Sequence, residues 1–367
     1  MKKNLFVEQS FNRIKMYCEK VDKNEFSNLL KLDYSKRVFG IDFPFFIEAK
    51  EISENDKIKE KYFYKTIIKI NGKEVCATNQ WFDHNINRFE HYLKEKYLHL
   101  LRRLSPGRLK EKKLLSFEVN ITDHCNLNCI GCEHFSPLSK EKYININDYE
   151  HDCSRLGELL NGEVKNIHLM GGEPLLHPDM NKILEITRKY FVKGVIQIIT
   201  NGVLLMNQNK TFWETCLKNN IEVLITEYPI NLKYKEIEKK AKSNNVRLKY
   251  YFSGEKTLQK RPFDLQGKQN IEENIKICHM ANICVQLRNG KLFTCVPIAY
   301  VSIFNEYFNK NLEVTENDFI DIYKVKNKDE IFNFLNKPVP FCRYCNILGI
   351  ELGIEWGQSK KEITEWA

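Results

Sequence analysis

The sequence has no long apolar run, and no stretch approaches the roughly 18–20 residues that a membrane helix needs. Lys2 and Lys3 are not followed by an apolar segment, so we expect no signal peptide and a cytoplasmic location. Glycine and proline are scarce, at 16 and 10 of 367 residues, which excludes a collagen-like chain. With 43% hydrophobic and 29% charged residues, the composition is that of a globular protein rather than a disordered one.

Acidic residues are fewer than basic ones, 48 against 57, which gives a net charge of +9. Nine basic and three acidic residues lie between Arg88 and Lys113, so this stretch carries most of the excess. A solvated helix face in a lysine-rich chain explains such a stretch. A docking surface for an acidic partner protein or a phosphorylated ligand is the alternative.

The twelve cysteines are unevenly spread. In a reducing compartment, clustered cysteines indicate metal binding or catalysis rather than disulfides. Four are isolated among apolar or helical residues and are predicted to be small buried hydrophobes: Cys18, Cys76, Cys153 and Cys216. The other eight form groups: Cys125, Cys129 and Cys132; Cys278, Cys284 and Cys295; Cys342 and Cys345.

Residues 1–112 are predicted to form an α+β extension without catalytic groups. The segments 65–70 and 73–78 flank Asn71-Gly72, which predicts a hairpin with a type I′ turn. Apolar residues from Phe89 to Leu104 recur at helical spacing, so an amphipathic helix is expected there.

Residues 113–265 alternate short apolar strands with helical stretches, which predicts a parallel α/β sheet, open or closed into a barrel. The strand candidates are 115–121, 164–170, 195–200, 222–226 and 247–252, and the helical stretches are 147–160, 179–191, 208–219 and 233–245. Ligands of such sheets bind beyond the carboxyl ends of the strands. Cys125, Gly171-Gly172-Glu173-Pro174 and Asn201-Gly202 follow the first three strands, so we expect them to meet at one site.

The triplet Cys125-x3-Cys129-x2-Cys132 places three thiols within eight residues. Thiolates select zinc, copper(I) or iron–sulfur clusters. A structural zinc site needs a fourth ligand, which His124 or His134 could supply. A cubane cluster held by three cysteines leaves one iron open to a ligand.

This segment, from Thr122 to Cys132, resembles the radical S-adenosylmethionine (SAM) enzymes, and the resemblance covers residues 115–346. It implies a partial (β/α)6 TIM-like barrel and a 4Fe–4S cluster whose open iron chelates SAM. Reductive cleavage of SAM then gives a 5′-deoxyadenosyl radical. Gly131 stands where many members carry an aromatic residue beside the adenine, so Phe135 is expected to supply that packing.

The same resemblance assigns the SAM contacts. Gly171, Gly172, Glu173 and Pro174 match the strip that binds the methionine ammonium, and the two glycines allow the backbone to approach a ligand closely. Thr200, Asn201 and Gly202 are expected at the ribose or carboxylate, and Thr226 is a weaker candidate. Taken alone, each of these segments is equally compatible with an ordinary connecting turn that binds no ligand.

The second cysteine set, in residues 266–346, is compatible with a zinc ribbon. It resembles the Twitch domain, which holds one auxiliary 4Fe–4S cluster, whereas the larger SPASM variant needs about three more cysteines. A cubane takes four thiolates, so Cys278 and Cys284 compete for one place beside Cys295, Cys342 and Cys345. Residues 347–367 are expected to be a weakly helical tail.

The resemblance implies hydrogen-atom abstraction, and an auxiliary cluster favours dehydrogenation of a sugar, cyclitol or nucleotide-sugar-like molecule. His134, His168, His177 and Glu227 are candidate bases. The alternatives are a sugar epimerase or dehydratase, with Cys153 or Cys216 as hydrogen donor, a ribosomal-peptide maturase, and a zinc or iron–sulfur regulator. We expect the reductant to be a flavodoxin or ferredoxin that docks on the basic stretch. We expect neither a membrane nor a nucleic acid as a partner.

Overall fold

The structure of the chain is a computed structural model. It describes residues 10–20, 22–52, 62–64, 66–82, 85, 86, 88, 89, 92, 93, 96, 114, 116–251, 257–278, 280, 281 and 283–367. The chain divides into two compact units, Met1–Pro106 and Gly107–Ala367. No helix within the described ranges is long and apolar enough to cross a membrane.

The first unit combines three helices with a small antiparallel sheet of order β1-β3-β2. The helices are α1 (Phe11–Lys20), α2 (Lys23–Leu29) and α3 (Leu32–Phe39), and the strands are β1 (Phe46–Glu48), β2 (Ile68–Ile70) and β3 (Lys73–Ala77). The predicted hairpin is confirmed, since Asn71 and Gly72 both have positive φ between β2 and β3. The core is rich in phenylalanine, and most of the basic stretch, 97–113, lies outside the described residues.

The second unit is built on an eight-stranded sheet of order β12-β11-β10-β4-β5-β6-β7-β8. Its strands are β4 (Ser116–Thr122), β5 (Asn166–Gly171), β6 (Val195–Thr200), β7 (Ile221–Thr226), β8 (Arg247–Tyr251), β10 (Gln286–Arg288), β11 (Lys291–Phe293) and β12 (Phe319–Asp321). Strands β10 and β4–β8 run parallel to one another, whereas β11 pairs antiparallel with both β10 and β12. The six parallel strands make the partial, open barrel of the α/β class that the sequence predicts.

Helices follow the parallel strands as the alternating pattern requires. Four helices follow β4 to β7 in turn: α4 (Ile146–Leu160), α5 (Met180–Tyr190), α6 (Lys210–Lys218) and α7 (Tyr234–Ser243). Three further helices lie later in the unit: α8 (Ile271–Ile277), α9 (Val296–Phe308) and α10 (Lys328–Leu335). Short 3₁₀ helices span Ala49–Glu51, Ser136–Leu138, Pro174–Leu176, Leu205–Asn207, Glu316–Asp318, Pro340–Tyr344, Ile347–Gly349 and Ile363–Glu365. The predicted strands and helices of the barrel are present, with ends that differ by at most two residues.

The two faces of the sheet differ in polarity. Alternate residues such as Phe117, Ile167 and Ile196 are buried with the helices in the main apolar core. Cys153 and Cys216 belong to the same core and are fully buried, as predicted for packing cysteines. The residues between them point to the opposite face, which we call the inner face.

The C-terminal third does not separate from the sheet. Strands β10–β12 extend the sheet past the predicted boundary at 265/266, because β10 pairs with β4. Helix α9 contributes to a second apolar cluster around Phe263 and Phe304. The predicted tail is ordered by pairing: β13 (Glu351–Glu355) forms an antiparallel ladder with β9 (Thr257–Lys260).

Candidate functional site: the cysteine loop and the second cysteine cavity

The cysteine loop, residues 123–135, leaves the carboxyl end of β4. Its start is fixed by Asp123, whose two oxygens accept hydrogen bonds from the Arg288 guanidinium at 2.8 and 2.9 Å. Asn128 and Gly131 have positive φ, so the chain turns tightly between the cysteines. The loop therefore presents three thiols from a short, anchored turn.

The three thiols lie in a buried environment. Burial raises the pKa of Cys125 to about 12 and that of Cys129 to about 11, and it also raises the pKa of Cys132. Thiols in such a place stay neutral unless cations neutralise the thiolates, as iron does in a cluster. Within the described ranges, no three His, Cys, Asp or Glu side chains are grouped closely enough for a single metal ion. His134 does not complete a site for one, because its Nδ1 lies 2.9 Å from Asn120 Oδ1.

The end of β5 approaches the cysteine loop so closely that only glycine fits. A Cβ on Gly171 would overlap the Thr122 carbonyl, and a Cβ on Gly172 would overlap the His124 carbonyl. The Gly172 amide donates to the Thr122 carbonyl at 2.9 Å. The two glycines thus let the end of β5 pack directly against the backbone of the cysteine loop, and Pro174 begins the short helix that follows.

Glu173 is fully buried and joins two strand ends. Its Oε1 accepts hydrogen bonds from Thr200 Oγ1 at 2.6 Å and from the Leu175 amide at 3.1 Å. Its Oε2 accepts from the Asn201 amide at 2.9 Å. Burial raises the pKa of Glu173 to about 7. Both carboxylate oxygens are used by the protein, so the structure gives Glu173 a positioning role and no free oxygen surface for SAM, contrary to the expected ammonium contact.

The end of β6 reaches the cysteine loop directly. Asn201 Nδ2 donates to Asn126 Oδ1 at 2.7 Å and lies 3.9 Å from Cys125 Sγ. Gly202 has a φ of +81° and follows Thr200, whose Oγ1 accepts from the Gly202 amide at 3.0 Å. The three predicted strand-end motifs therefore meet at one edge of the sheet.

Phe135 does not occupy the position expected of it. Its side chain is 1% exposed and packs against Phe263, Phe304 and Trp366, with ring centroids 5.8–6.3 Å apart. It presents no surface to a bound adenine, so that expectation is wrong. Burial of the apolar ring in the cluster beneath the loop is favourable, because it removes apolar surface from water.

Two residues that the motif analysis missed contact Cys129. Trp356 Nε1 donates to Cys129 Sγ at 3.1 Å, and the Tyr228 hydroxyl is a second donor to the same sulfur. Tyr228 lies two residues beyond Thr226 at the end of β7, so its position could have been noticed from the strand pattern. Nothing in the sequence near Trp356 signals its contact with a loop more than 200 residues away.

The second cysteine set lines a cavity. Cys278, Cys295, Cys342 and Cys345 surround it together with Arg261, and it encloses about 400 Å³ of space not filled by atoms, including the part open to solvent. Asn274 Nδ2 donates to the carbonyls of Cys342 and Cys345 at 2.9 and 2.7 Å, which fixes that turn. Cys284 is outside the lining, with its sulfur 3.9 Å from the Met280 sulfur.

Arg261 brings a buried cation to this cavity. Burial alone would lower its pKa, but Glu133 and the thiols of the cavity raise it. Its Nε lies 3.3 Å from Glu133 Oε1. Because Glu133 directly follows Cys132, one ion pair connects the cysteine loop with the second cavity. Burial raises the pKa of Cys342 to about 11, so these thiols too need nearby positive charge to ionise.

A row of polar side chains crosses the inner face. Each member is the register neighbour of the next on the adjacent strand, in the order Gln286, Glu118, His168, Gln197, Glu222 and Arg247. Glu118 accepts from Gln286 and lies 3.4 Å from His168 Nδ1. Glu222 accepts from Gln197 at 2.9 Å and pairs with Arg247 at 3.1 Å. We call this set the polar row.

The remaining candidate bases are placed differently. His168 lies in the polar row, and His134 lies above it on Asn120. Burial lowers the pKa of His134, which favours the neutral imidazole. His177 has both ring nitrogens engaged, one on the Ile144 carbonyl and one on the Asp179 amide, so it is structural. Glu227 lies half-buried after β7.

Comparison with known proteins identifies a family for the part of the chain that holds the cysteine loop. The model of the Radical SAM superfamily matches residues 119–233. A probable GTP 3′,8-cyclase of Methanothermobacter marburgensis is 34% identical over 94 residues, which are 26% of this chain and 30% of that protein. The GTP 3′,8-cyclase of Aquifex aeolicus is 27% identical over 274 residues, covering 64% of this chain and 78% of that protein.

Among solved structures, BtrN in complex with AdoMet and 2-DOIA matches 64% of this chain and 93% of its own, at 14% identity and a TM-score of 0.39. The family implies a 4Fe–4S cluster and SAM as cofactors, and the two cysteine sets fit a cluster beside SAM and an auxiliary one. The chain therefore carries a radical SAM domain at residues 119–233.

Proposed function

We propose that this chain is a radical SAM enzyme that abstracts a hydrogen atom from a small polar substrate bound at the inner face of the sheet. The polar row carries this proposal. An inner face that only filled a core would be apolar, because buried charges are costly unless they are paired or serve a ligand. Here six consecutive register positions are polar, and they lie below the strand ends where the cysteine loop sits.

Cys125, Cys129 and Cys132 are the proposed ligands of the cluster that binds SAM. This group supplies the 5′-deoxyadenosyl radical when SAM is bound and an electron is delivered. The chain's own residues position the loop: Gly171 and Gly172, which are proposed SAM contacts, let the end of β5 lie against it, and Asn201 holds it through Asn126. Thr200, Gly202 and Thr226 lie at the same strand ends and are proposed SAM contacts.

We propose Cys278, Cys295, Cys342 and Cys345 as ligands of the auxiliary cluster, because these four line the cavity and Cys284 does not. Four protein ligands leave no iron open, which suits an electron acceptor. This supports dehydrogenation of a sugar or cyclitol: a hydrogen atom leaves the substrate carbon, a base takes the hydroxyl proton, and one electron passes to the cluster.

His134 and His168 are the proposed bases. His168 Nδ1 lies 3.4 Å from Glu118 Oε1, which orients the ring. Radical epimerisation with Cys153 or Cys216 as hydrogen donor is disfavoured, because both thiols lie in the apolar core on the helix side of the sheet. Peptide maturation and a regulatory role lack a matching feature within the described residues.

A nucleotide is the second candidate substrate. The relatives named GTP 3′,8-cyclase motivate it, and β8 offers suitable cations. Arg247 and Lys249 project from the sheet edge onto Glu222 and are 64% and 56% exposed, so a phosphate could reach them. The reductant proposed for either substrate is an acidic flavodoxin or ferredoxin in the cytoplasm.

The test is anaerobic incubation of the reconstituted enzyme with SAM, dithionite and a panel of cyclitols, nucleotide sugars and nucleoside triphosphates. We expect 5′-deoxyadenosine to rise with one substrate class, and a product lighter by two hydrogens identifies dehydrogenation. A product of unchanged mass indicates epimerisation or cyclisation. If no polar compound of the panel increases 5′-deoxyadenosine, the proposed substrate class is contradicted. Glu118→Gln is expected to lower kcat, with Glu158→Gln, an exposed carboxylate, as control.

A further inference from the structure

The C-terminal segment 356–366 lies on the cysteine loop. Cys129 and Gln358 form an antiparallel bridge. The Ile130 amide donates to the Gly357 carbonyl at 2.8 Å, and the Ser359 amide donates to the Asn128 carbonyl at 2.8 Å. This segment, which we call the strap, thus adds a short strand to the loop that carries the thiols.

Side chains of the strap reach the same loop. Trp356 Nε1 donates to Cys129 Sγ at 3.1 Å, and Trp366 Nε1 donates to the Cys132 carbonyl at 2.9 Å. Glu365 Oε2 accepts from the Gly131 amide at 3.5 Å. Five consecutive residues of the loop, 128–132, are therefore held by one segment that is more than 200 residues away in sequence.

The strap is itself fixed. Glu365 Oε1 accepts from the amides of Lys360 and Glu362 at 2.7 and 3.2 Å, which closes the turn before Trp366. The Trp366 ring is 2% exposed, and its carbonyl accepts from the Phe263 amide at 2.7 Å. Trp356 is less enclosed and contacts the Tyr228 ring at 6.1 Å. An anchored strap can hold its Trp356 donor at a constant place beside the thiol.

We propose that the strap is a clamp for the cysteine loop and that Trp356 is a positioning residue that raises the reduction potential of the cluster held there. The inference rests on the proposed ligand role of Cys125, Cys129 and Cys132. Reduction adds negative charge to the cluster and its thiolates, and a hydrogen bond to a thiolate sulfur stabilises that charge. The indole N–H therefore favours the reduced state, which is the state that cleaves SAM.

Tyr228 supplies an independent donor to the same sulfur from the end of β7. The two donors differ in origin: Tyr228 belongs to the barrel, and Trp356 belongs to the strap. Removing either one is expected to lower the potential, but only changes in the strap should also loosen the loop. This difference separates the electrostatic effect from the clamping effect.

The test uses the full-length, anaerobically reconstituted chain and EPR-monitored redox titration. Trp356→Phe keeps an aromatic ring and removes the N–H donor. We therefore expect the reduction potential of the cysteine-loop cluster to fall by about 59 mV, which is a tenfold change in the equilibrium constant for one-electron reduction. Trp356→Tyr, which keeps a donor, is expected to shift less. Trp213→Phe is the matched control, because the Trp213 indole N–H lies in the apolar core without a hydrogen-bond partner.

A chain that ends at Glu355 tests the clamp. It is expected to lose about four of about eight irons, those of the cysteine loop, and to keep the auxiliary cluster. The triple variant Cys125→Ala, Cys129→Ala, Cys132→Ala assigns the signals and tests the ligand set by itself: unchanged iron in that variant refutes the ligand assignment. Selective loss of the loop cluster from Trp356→Phe supports the clamp. An unchanged potential and iron content in Trp356→Phe, or full iron in the shortened chain, overturns the inference.

Discussion

Arg261 and Glu133 form an ion pair at 3.3 Å that joins the auxiliary cavity to the cysteine loop. The Arg261 side chain is 3% exposed and that of Glu133 is 22% exposed. The pair is built from the residue that follows Cys132 and from a lining residue of the second cavity. The two cysteine sets are thus parts of one charged arrangement rather than separate metal sites.

Removing the Arg261 cation should lower the free energy of unfolding of the protein and its content of auxiliary-cluster iron. Arg261→Gln leaves Glu133 without its partner near four thiols, and breaking such a buried pair costs about 3 kcal/mol of unfolding free energy. We expect a lower denaturation midpoint and lower iron content than in Arg261→Lys, which keeps the charge. Equal midpoints and iron content for the two variants would show that the charge has no such role.

The two competing cysteines can be separated by iron analysis. Cys278 lines the cavity, and Cys284 instead contacts Met280. Cys278→Ser is expected to reduce bound iron from about eight to about four per chain, while Cys284→Ser keeps about eight. The reverse pattern would reassign the fourth ligand to Cys284.

Gly172 should tolerate no side chain. Because its Cβ would overlap the His124 carbonyl, Gly172→Ala must displace the cysteine loop. We predict loss of the loop cluster and of SAM cleavage, with the auxiliary cluster retained. Gly357→Ala is the control, since a Cβ there meets nothing within 4 Å. Normal iron content in Gly172→Ala would mean that the loop can move without losing its ligands.

Glu173 predicts a pH dependence of stability. Its pKa is raised to about 7 by burial, so the folded state holds a proton that the unfolded state releases from about pH 4.5 upward. The stabilisation that this proton provides is complete below about pH 4.5 and is lost as the pH rises to about 7. The free energy of unfolding falls by about 3 kcal/mol over that range. Denaturation midpoints measured from pH 5 to 8 should fall in the wild type and stay nearly level in Glu173→Gln.

The control for this titration is Glu158→Gln, which removes an exposed carboxylate and should keep the wild-type slope. Glu173→Gln also places an amide NH2 against the Thr200 hydroxyl or the Asn201 amide, so its midpoint should be lower at pH 5. A wild-type midpoint that falls no more steeply than that of Glu173→Gln would show that the carboxylate is charged throughout.

The sequence predicted those parts of the site that depend on local pattern. Cys125, Gly172 and Asn201 follow parallel strands, and parallel strands bring their carboxyl ends to one edge. The contacts of Trp356 and the choice of Cys278 over Cys284 depend on long-range pairing, such as Cys129 with Gln358, which has no local signature.

Two residues of the predicted SAM site have surroundings that the sequence pattern did not predict. Phe135 was expected beside the adenine, but the apolar cluster around Phe263 buries its ring. Glu173 sits in the expected motif, yet its oxygens bind the protein instead of a free ligand surface. The predicted docking of a reductant on Arg102, Arg103 and Arg108 lies outside the described residues; reversing these charges should slow turnover with flavodoxin and leave turnover with dithionite unchanged.

We propose above that the cysteine loop supports reductive cleavage of SAM. Its most direct test is 5′-deoxyadenosine formation by the iron-loaded chain under anaerobic conditions with SAM and dithionite. We expect 5′-deoxyadenosine from the wild type and none from the Cys125→Ala, Cys129→Ala, Cys132→Ala variant. A wild-type chain with a full complement of iron that forms no 5′-deoxyadenosine would contradict it.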